Sequence, residues 1–121
     1  MSVVFTQLGN IPLGVPWTSS IALYRVTQEA LRNALTHSGS DNVSITLATT
    51  NAGVMVTITD KGCGFDVDPN KTGLGLSGMA ERMKNVDGTL SIVSSPGAGT
   101  TVIASVPLPE YAQAAAGSRS S

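Results

Sequence analysis

The apolar positions divide the chain into alternating runs of two different periods. The opening VVFTQLG carries β-branched and aromatic residues and predicts an edge strand, and the following NIPLGVPW holds two prolines that forbid regular structure. Ser19 or Ser20 then offers an N-cap. After it Leu23, Val26, Ala30, Leu31, Ala34 and Leu35 recur at three- and four-residue intervals, which predicts the buried stripe of a long helix ending near Ser38 and Gly39. Val43, Ile45 and Leu47 alternate with polar residues, as do Val54, Val56 and Ile58 after a turn at residues 51–53; the two runs predict a hairpin. A loop rich in glycine, aspartate and proline leads to a second helix, marked by Leu76, Met79, Ala80, Met83 and Val86 and closed by Gly88. Residues 90–93 and 101–106 predict two last strands around the turn SPGAG.

Strand, helix, two strands, helix, two strands is the order of an α+β fold: a two-layer α/β sandwich with helices on one face of a mixed, mostly antiparallel sheet. At 121 residues there is length for one such domain. The final QAAAGSRSS has no large apolar side chain to anchor it, so the reading assigns residues 1–109 to the domain and 110–121 to a disordered tail.

Composition narrows the function by exclusion. Charged residues make up 12% of the chain and the net charge is -1, so no basic surface points to nucleic acid or to an anionic membrane. No apolar run is long enough to span a bilayer, and the N-terminus lacks the layout of a signal peptide. The single cysteine, Cys63, cannot form an internal disulfide and has no nearby thiol or histidine cluster to suggest zinc. These features predict a soluble chain in a reducing, cytoplasmic setting; the fragment is expected to be a monomer.

GLGLSG, residues 73–78, fits G-x-G-x-x-G letter for letter, but the context of a dinucleotide turn is missing. DVDPNKT, a loop and not a buried strand, precedes it, and twenty residues on from Gly78 stands Ala98 where an acidic residue would hold a ribose. What survives is the physics of glycines opening a helix, whose unpaired N–H groups suit an anion such as phosphate. Three further features gain meaning together. Glu29, Asn33 and His37 stand four residues apart on the first helix and are expected to form a polar row opposite the buried stripe. DKGCG, residues 60–64, ends a strand, where Asp60 can accept a hydrogen bond from a purine amino group while Gly62 and Gly64 let the backbone approach a ligand. SPGAGTT places hydroxyl groups after a glycine pair, suited to completing a base pocket.

E-x-x-x-N, then D-x-G-x-G, then G-x-G-L-x-G-M, then a glycine pair with GT before a strand ending in proline resembles the catalytic ATP-binding domain of sensor histidine kinases. That domain belongs to the wider ATPase group containing DNA gyrase B, the Hsp90 chaperones and MutL. The likeness covers residues 21–109. QEALRNALTHS and GLGLSGM followed by AERM are similar to the subfamily paired with response regulators that have helix-turn-helix outputs.

The resemblance implies a Bergerat-type sandwich with ATP between the long helix, the glycine-rich segments and a lid. It implies that Asn33 ligates Mg²⁺, that Glu29 is the catalytic base or water-orienting group, and that His37 stands near the phosphates. It further implies Asp60 on the adenine amino group with Gly62 and Gly64 beside it. Gly73, Gly75 and Gly78, with the neighbouring Leu76 and Met79, would lie along the nucleotide, and Thr100 would close the adenine end. The γ-phosphate would pass to a histidine on a separate dimerisation domain and on to a response regulator. Since the sole histidine, His37, lies in the nucleotide helix, the fragment is not expected to phosphorylate itself. The other readings are a nucleotide-sensing module without catalysis and a serine kinase of the same fold acting on an anti-sigma-factor antagonist. A dinucleotide oxidoreductase is a distant third.

Overall fold

The computed structural model of the chain describes residues 2–10, 14–38, 42–50, 52–63 and 76–108, apart from the side chains of residues 37 and 38. Five strands form one sheet: β1 (Ser2–Leu8), β2 (Asn42–Thr49), β3 (Gly53–Asp60), β4 (Thr89–Ser94) and β5 (Thr100–Pro107), in the spatial order β1-β2-β3-β5-β4. β1 runs parallel to β2, and every other neighbouring pair is antiparallel. The expected α+β sandwich with a mixed, mostly antiparallel sheet is the observed class.

Period-two alternation explains why one face of the sheet carries the core. Val54, Val56 and Ile58 on β3 and Val102, Ala104 and Val106 on β5 are buried, whereas the intervening Thr57, Thr59, Thr101 and Ile103 are only half-buried. Helices α1 (Trp17–Asn33) and α2 (Leu76–Lys84) cover the buried face, with Val26 and Ala30 from α1 and Met79 and Met83 from α2 joining the strand side chains in one cluster. β1 is exposed along its whole length.

Helix α1 departs from the sequence expectation at both ends. It begins at Trp17, ahead of the expected caps Ser19 and Ser20, because the Pro16 carbonyl accepts the Ser20 N–H at 3.1 Å. Pro16 stands at the N-cap in extended backbone (φ -60°, ψ 144°), without a side-chain cap, and Ser19 is buried inside the helix. At the other end the backbone widens into a π-helical turn, Ala34–Ser38. Leu35, expected in the buried stripe, is 56% exposed. Nine residues beyond Val26 at about 100° per residue put it on the opposite side of the helix, and Ala22 and Ala34 complete the stripe.

α2 ends in a Schellman motif. Asp87 N–H donates to the Lys84 carbonyl at 3.1 Å and Gly88 N–H to the Met83 carbonyl at 2.8 Å. The left-handed residue is therefore Asp87 (φ 56°), not the Gly88 that the sequence pattern nominates. Gly88 has a different reason to be glycine: a Cβ there would lie 2.5 Å from the Ser105 carbonyl oxygen.

Met79, 2% exposed, is one of the side chains that tie α2 to the core. Met79→Ala should destabilise the fold by about 2–5 kcal/mol, through lost burial and the cavity left behind. A urea denaturation midpoint equal to that of the wild type would show that α2 is not docked in this way.

Candidate functional site

The register of three strands assembles one polar row at an end of the buried face. Asp60 on β3 stands opposite Thr100 on β5, and Thr100 stands opposite Ser94 on β4. Asp60 is 8% exposed and Thr100 7%, so both are polar groups within the core face of the sheet. Asn33 reaches the same place from α1. The expected polar row of Glu29, Asn33 and His37 opposite the stripe is not what forms: Asn33 is 6% exposed and lies in the stripe itself. Helical geometry gives the reason, since seven residues after Val26 is within about 20° of two full turns.

Asn33, Asp60 and Thr100 line one narrow cavity together with Ala30, Ile58, Leu76 and Val102. A few polar groups on an apolar lining is the usual make-up of a small-molecule site. The enclosed volume is about 10 Å³, room for roughly one water, so the described residues form the floor of a site rather than one open to a purine. Asn33 Oδ1 is buried and accepts no hydrogen bond among the described residues, while the residue as a whole has other contacts.

The acceptor capacity of Asp60 is partly used. Its Oδ1 accepts the Gly62 N–H at 2.9 Å, which curls the chain after β3 and leaves Oδ2 as the second acceptor. Gly62 thus acts on Asp60 through its backbone. The β4–β5 turn braces the same strand end: Gly97 N–H donates to the Cys63 carbonyl, and Gly99 takes φ +73° against Asp60. A Cβ on Gly99 would sit 2.5 Å from the Asp60 carbonyl oxygen and 3.2 Å from Lys61 Cα, so both the conformation and the contact require glycine.

Glu29 lies elsewhere. It lines a separate polar cleft between the helices with Arg25, Gln28, Gly78, Met79 and Arg82. Arg32 holds its carboxylate through both oxygens, with Nη2 donating to Oε1 at 2.7 Å and Nε to Oε2 at 3.2 Å. That hydrogen bonding holds the Glu29 pKa below its ordinary 4.5; slight burial works the other way, and the charges of Arg32 and Arg82 add to the lowering. Arg32 was not among the expected site residues, although its i, i+3 spacing from Glu29 is a readable ion-pair signal. Ser94 was also missed, because only the hairpin register brings it to Thr100.

Of the remaining sequence candidates, Leu76 lines the Asn33–Asp60–Thr100 cavity, while Gly78 and Met79 line the Glu29 cleft. Gly64, Gly73 and Gly75 lie outside the described residues; His37 falls in the π-helical turn, and its side chain is not described. A larger groove of about 410 Å³ lies between β1 and α1, lined by Phe5, Leu23, Tyr24, Ile45 and Val56 among others. Among the described residues it offers no charged side chain to a phosphate.

A profile of the histidine kinase-, DNA gyrase B- and HSP90-like ATPases matches residues 18–110. The chain belongs to that ATPase family. The match runs from the first turn of α1 to just past β5, so Asn33, Asp60, Ser94 and Thr100 all fall within it. Among curated proteins, the chain is 40% identical over 92 residues to the signal transduction histidine-protein kinase/phosphatase DegS of Bacillus subtilis (strain 168), covering 73% of this chain and 24% of DegS. It is 43% identical over 88 residues to the oxygen sensor histidine kinase NreB of Staphylococcus carnosus (strain TM300), covering 71% of this chain and 25% of NreB. The chain thus spans about a quarter of the length of these curated relatives.

Solved members of the family agree in fold. The histidine kinase domain of the Erythrobacter litoralis blue-light activated histidine kinase superposes with a TM-score of 0.70 at 25% identity, over 93% of this chain and 57% of that one. The ATP binding domain of PrrB from Mycobacterium tuberculosis gives 0.61 at 27% identity, over 88% of this chain and 81% of that one.

The Glu29–Arg32 pair has a pH signature. The folded-state pKa of Glu29 is lowered, so the pair stabilises the fold above the ordinary carboxylate value of 4.5 and the contribution is lost as pH falls through the lowered value. Arg32→Gln should raise the Glu29 pKa toward 4.5 in a side-chain carboxyl NMR titration. It should also remove a small stability advantage at neutral pH that the two proteins no longer differ in at strongly acidic pH. An unmoved Glu29 titration would show that the pair does not persist in solution.

Proposed function

We propose that this chain is the Mg-ATP-binding catalytic domain of a sensor histidine kinase. In this reading it donates the γ-phosphate of ATP to a histidine on a separate dimerisation domain, for relay to a response regulator with a helix-turn-helix output. The observation that carries the reading is the meeting of Asn33, Asp60 and Thr100 at one cavity, from elements far apart in the chain, within a domain of this ATPase family. An apolar lining of Ala30, Ile58, Leu76 and Val102 suits the faces of a purine, and Asp60 Oδ2 suits its exocyclic amino group. In this reading the domain is residues 1–109 and works in the cytoplasm; the tail expected over residues 110–121 lies outside the described residues.

The donor chemistry of the cavity fits Mg²⁺. Among the described residues no three His, Cys, Asp or Glu side chains gather into a metal cage. Asn33 Oδ1 is a neutral hard oxygen, which suits an ion that keeps waters and takes further oxygens from a nucleotide. When bound, the ion would supply charge neutralisation on the β- and γ-phosphates. The protein's share is positioning: Asn33 sets the phosphate end, Asp60 and Thr100 set the base, and the first N–H groups of α2, Gly78 among them, favour an anion near the helix start. Arg25 and Arg82 place positive charge beside Glu29.

Binding without catalysis remains the second reading, and one observation favours it. Glu29, the expected base, is engaged by Arg32 and has a lowered pKa, which makes it a weaker proton acceptor than an ordinary carboxylate. Phosphotransfer to the cognate histidine-bearing domain separates the two.

Asp60→Asn should weaken ATP binding about tenfold or more in a calorimetric titration with Mg²⁺, since a hydrogen bond to a charged group is worth roughly 1.5–3 kcal/mol. Near-normal affinity would contradict the assignment of Asp60 to the base.

A further inference from the structure

Two contacts of the Ser94 hydroxyl decide where its one proton goes. Its Oγ lies 3.0 Å from the Gly99 carbonyl oxygen and 2.8 Å from Thr100 Oγ1. A carbonyl oxygen only accepts, so both contacts are hydrogen bonds in just one arrangement: Ser94 donates to Gly99, and Thr100 donates to Ser94. The Thr100 proton is then committed to β4, and its oxygen keeps only lone pairs for the cavity that it lines. Asp60 beside it is a carboxylate whose Oδ1 already accepts the Gly62 N–H. This end of the cavity is a surface of acceptors.

We propose that Ser94 is a positioning residue for nucleotide selectivity: by fixing the Thr100 proton away from the cavity, it makes the base site accept a purine with a 6-amino group and disfavour one with a 6-oxo group. The inference rests on the nucleotide-binding reading and deepens it. Without the Ser94 hydroxyl, the Thr100 O–H is free to rotate and donate into the cavity. A 6-oxo group then finds a donor where it had met a lone pair. The brace that sets this up is local, since Gly99, Thr100 and Ser94 belong to one hairpin and Gly99 is wedged against the Asp60 backbone.

ATP and inosine triphosphate are the probes, because they share sugar and phosphates while the 6-amino donor becomes an oxo acceptor and N1 gains a proton. In calorimetric titrations with Mg²⁺, the wild-type chain should prefer ATP by about tenfold or more, and Ser94→Ala should shrink that ratio by about fivefold, mainly by tightening inosine triphosphate. Ser94→Thr, which keeps the hydroxyl, should retain the wild-type ratio. In a Thr100→Val background, Ser94→Ala should leave the ratio within about twofold, because there is no proton left to direct. A ratio unchanged by Ser94→Ala, or equal weakening of both nucleotides, overturns the proposal while the nucleotide reading stands. A wild type that binds neither nucleotide overturns both. If Ser94→Ala does not fold, Thr100→Val alone decides: it should shrink the ratio, and an unchanged ratio overturns the proposal.

Discussion

The antiparallel pairing of β3 with β5 sets Asp60 opposite Thr100, and the candidate site depends on that register. Side chains alternate between the faces of a sheet, so a slip of one residue would turn Thr100 outward and bring Thr101 into its place. The apolar pairs further along hold the register: Ile58 faces Val102, Val56 faces Ala104 and Val54 faces Val106, all on the buried face. A slip would expose one of those rows to solvent, at roughly 1.5–3 kcal/mol for each large side chain. The hydrophobic core thus acts as the clamp that aligns the polar groups at its end.

The same logic extends across the layers. Asn33 reaches the cavity because it sits at a core-facing position of α1, where Val26 and Ala30 hold the helix against the sheet. Glu29 is one turn away but far enough round the helix to face the other cleft, so one helix serves two environments: an apolar cavity with acceptors, and a polar cleft with arginines. In the proposed reading, binding and acid–base chemistry are therefore separable in the molecule, and the Arg32 pair bears only on the second.

Most of the fold was legible because its elements are strongly periodic. Val54, Val56 and Ile58 read as a strand with one buried face, and Leu76, Met79 and Met83 as one side of a helix, and both are observed. The misses came where local chemistry competes with pattern. Pro16 outdid two serines as the start of α1, and Asp87 took the left-handed conformation in place of a neighbouring glycine. Asn33 and Asp60 were readable as candidates from motif spacing and do line one cavity, yet spacing alone placed Asn33 on the wrong side of its helix. The contact of Ser94 with Thr100 was not readable in advance, since it exists only once the β4–β5 register brings the two hydroxyls together.

The central claim is that nucleotide binds over the floor made by Asn33, Asp60 and Thr100, although that cavity is small and the apolar groove beside β1 is far larger. Amide NMR of the 121-residue chain during an ATP titration with Mg²⁺ tests it most directly. The account predicts that the signals of Asn33, Asp60, Gly62 and Thr100 shift first and furthest, with Phe5, Tyr24 and Leu47 little changed. Shifts concentrated on the groove between β1 and α1, or an absence of shifts at Asp60 and Thr100, would contradict it.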